Sequence, residues 1–208
     1  MLLSDILDCN GLSIDLLKSY SFKSNLGLSL KHSLRHFDKE ALLEELFTYA
    51  DWLDSLDIVS QVSLDFRVKA YESIEGKYNR YYTNPKSQAR KVFNDILGFR
   101  ALCDSYDPLL NDSIEGLRIV DMSQGKANDD GYRGIHAYYQ LDNFHYPIEI
   151  QFNSYYDRQL NNWLHDYLYK KEYPLEYGQI MRHKYEEGII RSAEDFEEVL
   201  YDLLGSKE

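Results

Sequence analysis

Cysteine, long apolar runs and positive charge are all scarce in this sequence. Its 208 residues include two cysteines, Cys9 and Cys103, too few for a disulfide framework or a cysteine-rich zinc site. No stretch approaches the roughly 18 uninterrupted apolar residues of a membrane-spanning helix. The start, MLLSDILDCNG, lacks the basic region of a secretory signal. We therefore expect a cytoplasmic protein without a membrane partner.

Acidic residues outnumber basic ones by 35 to 23, which gives a net charge of −12 at pH 7. Taken as a total, this charge argues against a nucleic-acid partner, because phosphate backbones attract positive surfaces. A hydrophobic fraction of 44% is sufficient for a packed core. Length and composition therefore predict one compact domain with helical additions.

The charge is unevenly distributed along the chain. Residues 67–100 hold eight basic and three acidic side chains, a local charge of +5, and residues 18–39 carry a local charge of +4. Residues 40–65 contain seven acids and neither lysine nor arginine. Such segregation indicates where an anionic ligand binds, although solvent-exposed helix faces produce the same pattern.

The periodicity of apolar residues predicts helices and strands along the whole chain. In chain order we predict helices within 1–60, a strand over 62–70, a basic helix over 73–92, strands over 95–104, 116–123, 134–141 and 144–152, a helix over 154–171 and two C-terminal helices. Asp38 is placed to cap a helix over 39–56, and Asp142 with Asn143 predicts a two-residue hairpin link. This order predicts an α/β (α+β) fold, with a mixed sheet of about five strands flanked by helices and helical additions at both ends.

Four donor-rich side chains fall within eleven residues, on a strand and at the start of the next helix: Arg67, Lys69, Ser73 and Lys77. A helix N-terminus with a capping serine and several cations is typical of anion sites. This density of donors suits a polyphosphate better than a single carboxylate. The sequence has neither a Walker-type glycine-lysine loop nor G-x-G-x-x-G, so the common nucleotide folds are not indicated.

Two carboxylates are candidate ligands for the Mg²⁺ that normally accompanies a triphosphate, Asp95 and Glu149. A salt bridge to a nearby arginine is the alternative for Glu149, and capping between helix and strand is the alternative for Asp95. The hairpin link places His136 opposite Glu149. Strict alternation puts Asp95 and Arg100 on opposite sheet faces. A bulge or twist at Gly98, or a position of Asp95 just before the strand, would bring the two side chains to one site.

The residues of this central region resemble the motifs of a known family, the RelA/SpoT-type pyrophosphokinases or alarmone synthetases. The similarity runs from about residue 60 to residue 171. The matching motifs are Arg67-Val-Lys69 with Ser73 and Lys77, Asp95-Ile-Leu-Gly98-Phe-Arg100, Gly131-Tyr132-Arg133-Gly134-Ile135-His136, Glu149-Ile-Gln151, and His165 with Tyr169-Lys170.

The resemblance implies a nucleotidyltransferase-like fold and transfer of the β,γ-pyrophosphate of ATP to a ribose 3′-hydroxyl, with Mg²⁺. It assigns residues 61–171 to the synthetase core, between an N-terminal helical region, 1–60, and C-terminal helices, 172–208. The implied roles are adenine binding by Arg67 and Arg100, phosphate binding by Lys69, Ser73 and Lys77, metal binding by Asp95 and Glu149, and acceptor binding by Lys126, Tyr132, Arg133, His136 and Gln151. Asp95, Glu149 and Lys77 would be catalytic, with Glu149 as the base and Tyr132 stacked on the acceptor base.

The chain departs from the nucleotide-making synthetases after Gln151, where Phe152-Asn153-Ser154 replaces the usual Arg-Thr pair. The run HYPIEIQFNSYYDRQLNNWLHDYLYKK is similar to the toxic small alarmone synthetases of toxin–antitoxin and phage-defence systems. That subgroup includes enzymes that pyrophosphorylate the 3′-CCA end of tRNA and stop translation. We favour tRNA as the acceptor. The alternatives are a small alarmone synthetase that makes (p)ppGpp or (p)ppApp, and a non-catalytic nucleotide-binding module.

Basic residues outside the predicted ATP site form a candidate surface for the tRNA acceptor stem: Lys31, Arg35, Lys86, Arg90 and Lys91. The alternative is that these charges pair with local acids on helix surfaces. A toxin without a regulatory domain of its own would need a cognate antitoxin protein, which we expect as a partner. The oligomeric state stays open.

Overall fold

A computed structural model describes residues 3–171 and 173–205 of the chain. It confirms the predicted class, because five strands form one mixed sheet flanked by helices, in the order β1-β2-β5-β4-β3. The strands are β1 (Asp65–Val68), β2 (Leu97–Leu102), β3 (Leu117–Asp121), β4 (Ile135–Tyr139) and β5 (Ile148–Asn153).

The helices are α1 (Leu3–Cys9), α2 (Ile14–Ser19), α3 (Lys39–Ser55), α4 (Ile58–Gln61), α5 (Tyr71–Tyr81), α6 (Ala89–Val92), α7 (Asp107–Leu110), α8 (Tyr155–Trp163), α9 (Leu175–Glu186) and α10 (Ala193–Gly205). The longest helix of the described residues is α3, with 17 residues. A 3₁₀ turn covers Leu34–His36, and α8 is followed by a π-helical turn, Leu164–Leu168, and a 3₁₀ turn, Tyr169–Lys171. Over the described ranges, no helix has the length and apolar character to cross a membrane.

The chain divides into two compact units. Unit 1 comprises Met1–Ala101, Asp107–Ile119 and His136–Gln151, and unit 2 comprises Leu102–Tyr106, Val120–Ile135 and Phe152–Glu208. Each unit has buried side chains of its own, and the two are described separately below.

Helix α3 supplies much of the buried surface of unit 1. The Asp38 side chain accepts a hydrogen bond from the Ala41 N–H at 2.9 Å, which confirms it as the N-cap. The Tyr49 ring of this helix stacks on Phe22 at a centroid distance of 4.7 Å and on Tyr146 at 5.7 Å. This aromatic cluster joins α3 to two segments that the sequence places far from it.

The prediction that residues 1–60 are helical throughout is wrong for residues 20–33, and the two-residue hairpin link is wrong as well. Both differences have one cause, which is main-chain pairing between residues 22–30 and residues 143–146. The link between β4 and β5 therefore has eight residues, 140–147. The pairing hydrogen bonds are Ser24 N to Phe144 O at 2.8 Å, Leu30 N to Asn143 O at 2.8 Å and Tyr146 N to Phe22 O at 3.0 Å.

The single basic helix predicted over 73–92 is also wrong. Helix α5 ends at Tyr81, a turn region follows, and α6 begins only at Ala89. Pro85 lies in the interruption, and proline disfavours helical backbone both at its own position and at the residue before it. The predicted strands are present but begin or end one to four residues inside the predicted ranges, except that β5 extends one residue further than predicted, to Asn153.

Unit 2 is built around its own apolar cluster, contributed by α8, the turns after it, α9 and α10. The buried members are Leu160, Leu164, Leu168, Tyr177, Met181, Tyr185, Ile190, Phe196 and Leu200. Helix α10 starts at a reciprocal capping box, in which the Asp195 N–H donates to Ser192 Oγ at 3.1 Å and the Ser192 N–H donates to Asp195 Oδ2 at 3.2 Å. The cluster makes the C-terminal helices an integral part of this unit.

Helix α9 touches the backbone of residues 129–134, which we call the acceptor loop, at two glycines. A Cβ atom on Gly178 would overlap the Asp130 carbonyl oxygen, and a Cβ atom on Gly131 would overlap the Gly178 carbonyl oxygen. Gly131 also has a φ of +85°, which L side chains rarely adopt. Close packing of two backbones therefore requires glycine at both positions.

We expect Gly178→Ala to destabilise the protein by about 1–3 kcal/mol, because the added methyl group meets rigid backbone. Gly76→Ala is the matched control, since Gly76 lies inside α5 and no heavy atom lies within 4 Å of the position that an added methyl group would take. Alanine there should stabilise the protein by about 0.5–1 kcal/mol. Urea unfolding measures both changes, and an unchanged midpoint for Gly178→Ala would contradict the close contact.

Candidate active site

The Asp95 carboxylate in unit 1 is buried among cationic side chains. Asp95 is 6% exposed, and it accepts hydrogen bonds from Lys69 Nζ at 2.7 Å and from Lys77 Nζ at 2.9 Å. The Arg67 guanidinium lies 3.6 Å from the same carboxylate, and 46% of its side chain is exposed. Lys77 Nζ also donates to the Val92 carbonyl oxygen at 3.2 Å. Three of the residues predicted to bind ATP thus converge on one carboxylate.

Burial and ion pairing act in opposite directions on this cluster. Burial, the largest effect, raises the pKa of Asp95, but the charges of Lys77 and Lys69 and their hydrogen bonds outweigh it, so the pKa lies below its ordinary value. For Lys69, burial lowers the pKa and the neighbouring Asp95 carboxylate offsets only part of this effect. Asp95 is therefore ionised at neutral pH, and the charge of Lys69 depends on it.

The relation between Asp95 and Arg100 is resolved by the strand register. Strands β1 and β2 pair antiparallel, with Arg67 opposite Gly98 and Asp65 opposite Arg100. This register is continuous through Gly98, so the predicted bulge is not needed. Asp95 instead lies two residues before β2 begins, outside its alternation.

Arg67 and Arg100 are diagonal neighbours on β1 and β2, and they lie on one sheet face. Such diagonal positions are about 7–8 Å apart, which leaves room for a flat ring between two guanidinium groups. The side chain of Arg100 is 35% exposed and lies 3.6 Å from the Asp65 carboxylate. Adenine binding by this pair remains a prediction, with a geometry that allows it.

Glu149 on β5 is the second buried carboxylate of unit 1, with 5% exposure. Tyr138 Oη donates to its Oε1 at 3.0 Å, and Gln151 Nε2 donates to its Oε2 at 2.8 Å. His136 Nδ1 lies 3.0 Å from Oε1 and 3.1 Å from Tyr138 Oη, so the predicted contact of His136 with Glu149 is present. Among the described residues, no arginine lies within ion-pair distance of Glu149.

The donors around Glu149 keep it ionised despite its burial. Burial, the largest effect, raises the pKa of this carboxyl, and the charge of Asp95 raises it further. The hydrogen bond and charge of His136 and the hydrogen bond of Gln151 outweigh both effects, so the pKa lies below its ordinary value. Two ionised carboxylates are thus held in one unit, and the charge of Asp95 acts on the pKa of Glu149.

The donor set of these two carboxylates fits Mg²⁺, which proteins usually bind through one or two carboxylates together with substrate phosphates. Gly98 makes room beside Glu149, because a Cβ atom at Gly98 would lie 3.7 Å from Glu149 Oε2. Carboxylate oxygens retain acceptor capacity beyond the hydrogen bonds they already accept. Within residues 3–171 and 173–205, no group of three or more histidine, cysteine or acidic side chains is arranged to hold a metal ion.

The capping role predicted for Ser73 is wrong. Helix α5 begins at Tyr71, two residues earlier than expected, and its N-cap is Ala70, which makes no side-chain cap hydrogen bond. Ser73 is exposed in the first turn, and its N–H donates to the Ala70 carbonyl oxygen at 3.0 Å. The first turn of α5 thus presents a hydroxyl group to solvent, one turn before Lys77.

The acceptor loop belongs to unit 2 and is held by contacts within that unit. Arg133 donates two hydrogen bonds to Asp129, at 2.7 and 2.9 Å, so its guanidinium is committed to the loop itself. Lys126 Nζ donates to Asp130 at 2.6 Å and lies 4.9 Å from the centroid of the Tyr132 ring. Of the residues predicted for acceptor binding, Tyr132 and Lys126 are thus adjacent, and Arg133 has a structural partner.

Several residues that fix the acceptor loop escaped the sequence reasoning. Arg182 of α9 is 2% exposed, and its Nε donates to the Gly131 carbonyl oxygen at 2.8 Å. Asn161 and Asn153 both donate to the Arg133 carbonyl oxygen, at 2.7 and 2.9 Å. The sequence offered one signal for Arg182. It lies beside Met181 and four residues after Gly178, on the apolar face of an amphipathic helix, where a charged residue is unusual.

The candidate RNA surface gathers the two basic segments of the sequence. Main-chain hydrogen bonds join them, from Ala89 N to His32 O at 3.0 Å, from Arg90 N to Leu30 O at 2.9 Å and from Leu34 N to Ser87 O at 3.0 Å. Arg35 donates to the carbonyl oxygens of Tyr82 and Thr83, while Lys31, Lys86 and Lys91 are exposed. Lys91 and Lys86 also line a cavity of about 230 Å³ together with Lys77. In unit 1, the basic surface therefore adjoins Lys77, one of the two lysines that bind the Asp95 carboxylate.

The solved structures that resemble this chain include small alarmone synthetases and a GTP pyrophosphokinase family protein. Small alarmone synthetase 2 from Bacillus subtilis is 25% identical, with 79% of this chain and 96% of that chain covered and a TM-score of 0.45. Small alarmone synthetase 1 from Bacillus subtilis, bound to its product pppGpp, is 19% identical, with coverages of 80% and 93% and a TM-score of 0.43. A GTP pyrophosphokinase family protein from Streptococcus pneumoniae is 19% identical, with coverages of 80% and 95% and a TM-score of 0.43. No protein-family model and no curated protein matches the chain.

We expect Asp95→Asn to destabilise the protein by about 3–5 kcal/mol at neutral pH, because it leaves the Lys69 charge buried without compensation. Part of this loss should be recovered as the pH rises. Without the Asp95 charge, the pKa of Lys69 in the folded variant lies even further below the pKa of Lys69 in the unfolded chain than it does in the wild type. Between these two pKa values the unfolded state binds more protons than the folded state, so the free energy of unfolding rises with pH. Urea unfolding at several pH values measures both effects.

Asp65→Asn is the matched control for this prediction. Its carboxylate also faces an arginine, but 66% of its side chain is exposed, so the substitution should cost at most about 1 kcal/mol. Equal losses for the two variants would show that Asp95 is not a buried charge centre.

Proposed function

We propose that this protein is an ATP-dependent pyrophosphokinase that transfers the β,γ-pyrophosphate of ATP to a ribose 3′-hydroxyl. The observation that carries this proposal is the pair of buried, ionised carboxylates, Asp95 and Glu149, in the unit that also holds Lys69, Lys77 and Arg67. Phosphoryl-transfer sites need little covalent chemistry from the protein and depend on positioning and charge neutralisation. The cluster around Asp95 provides both.

Each residue of the cluster has a defined task in this reaction. Lys69, Lys77 and the Ser73 hydroxyl hold the phosphates of ATP, and Arg67 with Arg100 holds the adenine. Asp95 and Glu149 hold Mg²⁺, which when bound neutralises charge on the phosphates during transfer. With phosphate oxygens present, the two lysines share their hydrogen bonds between these oxygens and Asp95.

Glu149 is the group that receives the proton of the acceptor hydroxyl. The 3′-oxygen forms a bond to the β-phosphorus, the bond from that phosphorus to the oxygen bridging to the α-phosphorus breaks, and AMP leaves with the bridging oxygen. A base must be ionised before the reaction, and the lowered pKa of Glu149 meets this condition. Tyr138 and Gln151 position the carboxylate through one hydrogen bond to each oxygen.

For the acceptor we propose the 3′-CCA end of tRNA, so that the enzyme would inhibit translation as the toxin of a toxin–antitoxin pair in the cytoplasm. Basic surface beyond the ATP residues supports this acceptor, because the segments with Lys31 and with Lys86 and Lys91 are joined by main-chain pairing. Asn153 supports it as well. It belongs to the run Phe152-Asn153-Ser154, which replaces the Arg-Thr pair that is usual in the nucleotide-making enzymes. Its side chain donates a hydrogen bond to the Arg133 carbonyl oxygen of the acceptor loop. A cognate antitoxin protein would be the partner.

A free nucleotide is the second candidate acceptor, which would make the product (p)ppGpp or (p)ppApp. The net charge of −12 favours it, since a small nucleotide needs only a local cationic site. A non-catalytic nucleotide-binding module is less well supported, because Asp95, Glu149 and Lys77 are all present. The charge of Lys77 lowers the pKa of Asp95, and the charge of Asp95 raises the pKa of Glu149.

The test is incubation of the purified protein with γ-labelled ATP and Mg²⁺, with tRNA, GDP, GTP and ATP offered separately. We expect label on intact tRNA, and none on tRNA from which the CCA end has been removed. The labelling rate should fall as salt rises, because phosphate contacts release counterions. Label on a mononucleotide alone would refute the tRNA acceptor, and label on no acceptor would refute pyrophosphoryl transfer.

We expect Glu149→Gln to lower the transfer rate by about 10²-fold or more, because the amide cannot accept the hydroxyl proton. Initial rates with the acceptor identified above measure this change. Glu45→Gln is the matched control, since Glu45 is a buried glutamate of unit 1 that accepts from Tyr146 Oη at 2.9 Å and lies outside the proposed site. A fully active Glu149→Gln would remove Glu149 from the mechanism.

A further inference from the structure

A cationic cleft in unit 1 is not used by the proposed ATP site. It has a volume of about 520 Å³ and lies between the ends of β3 and β4 and helix α6. Its polar lining includes Arg90, Lys91, Arg118, Tyr138 and Gln140, and the lining contains no acidic residue. We call it the Arg118 cleft. Its volume is within the usual range of about 300–1,000 Å³ for small-molecule sites.

The three cations of the Arg118 cleft lack acidic partners. Among residues 3–171 and 173–205, none of Arg90, Lys91 and Arg118 has a carboxylate within 4.0 Å, whereas Lys69, Lys77 and Arg133 each do. Arg90 Nε donates only to the Gln88 side chain, at 3.2 Å. Like charges gathered in a concave site without counter-charges raise the electrostatic potential there, and this potential favours an anion.

The Arg118 cleft reaches the proposed base through a single side chain. The Arg118 guanidinium lies 4.6 Å from the centroid of the Tyr138 ring, and the hydroxyl at the far end of that ring donates to Glu149 at 3.0 Å. One tyrosine thus separates the cationic groups from the carboxylate that would receive the proton of the 3′-hydroxyl. In a nucleotide, one ribose likewise separates the 3′-hydroxyl from the 5′-phosphate.

We propose that the Arg118 cleft binds the phosphate attached to the 5′-oxygen of the acceptor ribose, with Arg118 and Lys91 as its main contacts. This inference rests on the proposed pyrophosphoryl transfer. The phosphate comes either from a free nucleotide or from the last phosphodiester of an RNA 3′ end. The chemistry is the same in both cases, because arginine and lysine pair with the anionic oxygens.

The experiment compares acceptors that differ only in this phosphate. Transfer from γ-labelled ATP is measured to a nucleoside, to its 5′-mono-, di- and triphosphates, and to the trinucleotide CpCpA beside adenosine. For the wild type we expect phosphorylated acceptors to have a kcat/KM at least tenfold above that of the matching nucleoside. Preference among the mononucleotides indicates a free nucleotide as the source, and preference for CpCpA over adenosine indicates RNA.

Lys91→Gln should lower kcat/KM for phosphorylated acceptors about tenfold and leave the nucleoside rate unchanged, and Arg118→Gln should lower the ratio of phosphorylated-acceptor to nucleoside kcat/KM about tenfold. Lys91→Gln is needed because Arg118 also covers the Tyr138 ring, so its loss alone could disturb Glu149. Lys18→Gln, which removes an equal charge from a lysine paired with Asp15 elsewhere in unit 1, should change neither rate. A wild type without preference for phosphorylated acceptors, or variants that slow the nucleoside equally, would overturn the proposal.

A binding measurement separates failure of this inference from failure of the proposed function. The protein is saturated with α,β-methylene ATP, whose β,γ-pyrophosphate cannot be released, and then titrated calorimetrically with inorganic pyrophosphate. We expect one further pyrophosphate per chain, with the affinity reduced about tenfold in Lys91→Gln. If no acceptor is ever labelled, this binding still supports an anion site in the cleft, and its absence overturns that site.

Discussion

The buried charge of Asp95 is the constraint on which the arrangement of unit 1 depends. A carboxylate with 6% exposure is stable as an ion only with strong partners, and these come from the segment after β1 and from the second turn of α5. The chain must therefore bring Lys69 and Lys77 to the residues just before β2. That requirement fixes the antiparallel pairing of β1 with β2 and the direction in which α5 leaves the sheet. The same contacts gather the cations that a polyphosphate needs.

Glu149 is stabilised by partners of a different kind from those of Asp95. Its partners are the hydroxyl of Tyr138, the ring of His136 and the amide of Gln151, none of which carries a permanent positive charge. These donors orient the carboxylate, and the hydrogen bond and charge of His136 help to keep it ionised. Asp95, in contrast, is bound by two ammonium groups. One unit thus holds two acids of similar burial, one paired with ammonium groups and the other with hydroxyl, imidazole and amide groups.

The sequence predicted local chemistry better than it predicted connections. The polar face of β1, the Asp38 cap and the contact of His136 with Glu149 follow from alternation and capping, which are properties of neighbouring residues. The break between α5 and α6 was missed although Pro85 marks it. The pairing of residues 22–30 with 143–146 leaves no local pattern, because the partners lie more than a hundred residues apart and contact through the main chain. The anchoring of the acceptor loop by Arg182 was missed for a related reason. Its bond to the loop ends on the Gly131 carbonyl oxygen, a group that every residue has, so no side-chain motif records this contact.

Net charge gives a poor account of what this surface can bind, and the structure shows the physical reason. A charge of −12 describes the field far from the protein, where ions screen it within about 8–10 Å. Within that distance the field depends on whether each cation has an acid beside it. The cations of the Arg118 cleft and the exposed Lys31 and Lys86 have none within 4.0 Å among the described residues, whereas Lys126, Lys170 and Arg182 of unit 2 do. An anionic ligand would therefore meet repulsion over most of the surface and attraction at a few places in unit 1. For a phosphate-bearing substrate this combination disfavours non-specific binding and concentrates affinity beside Glu149.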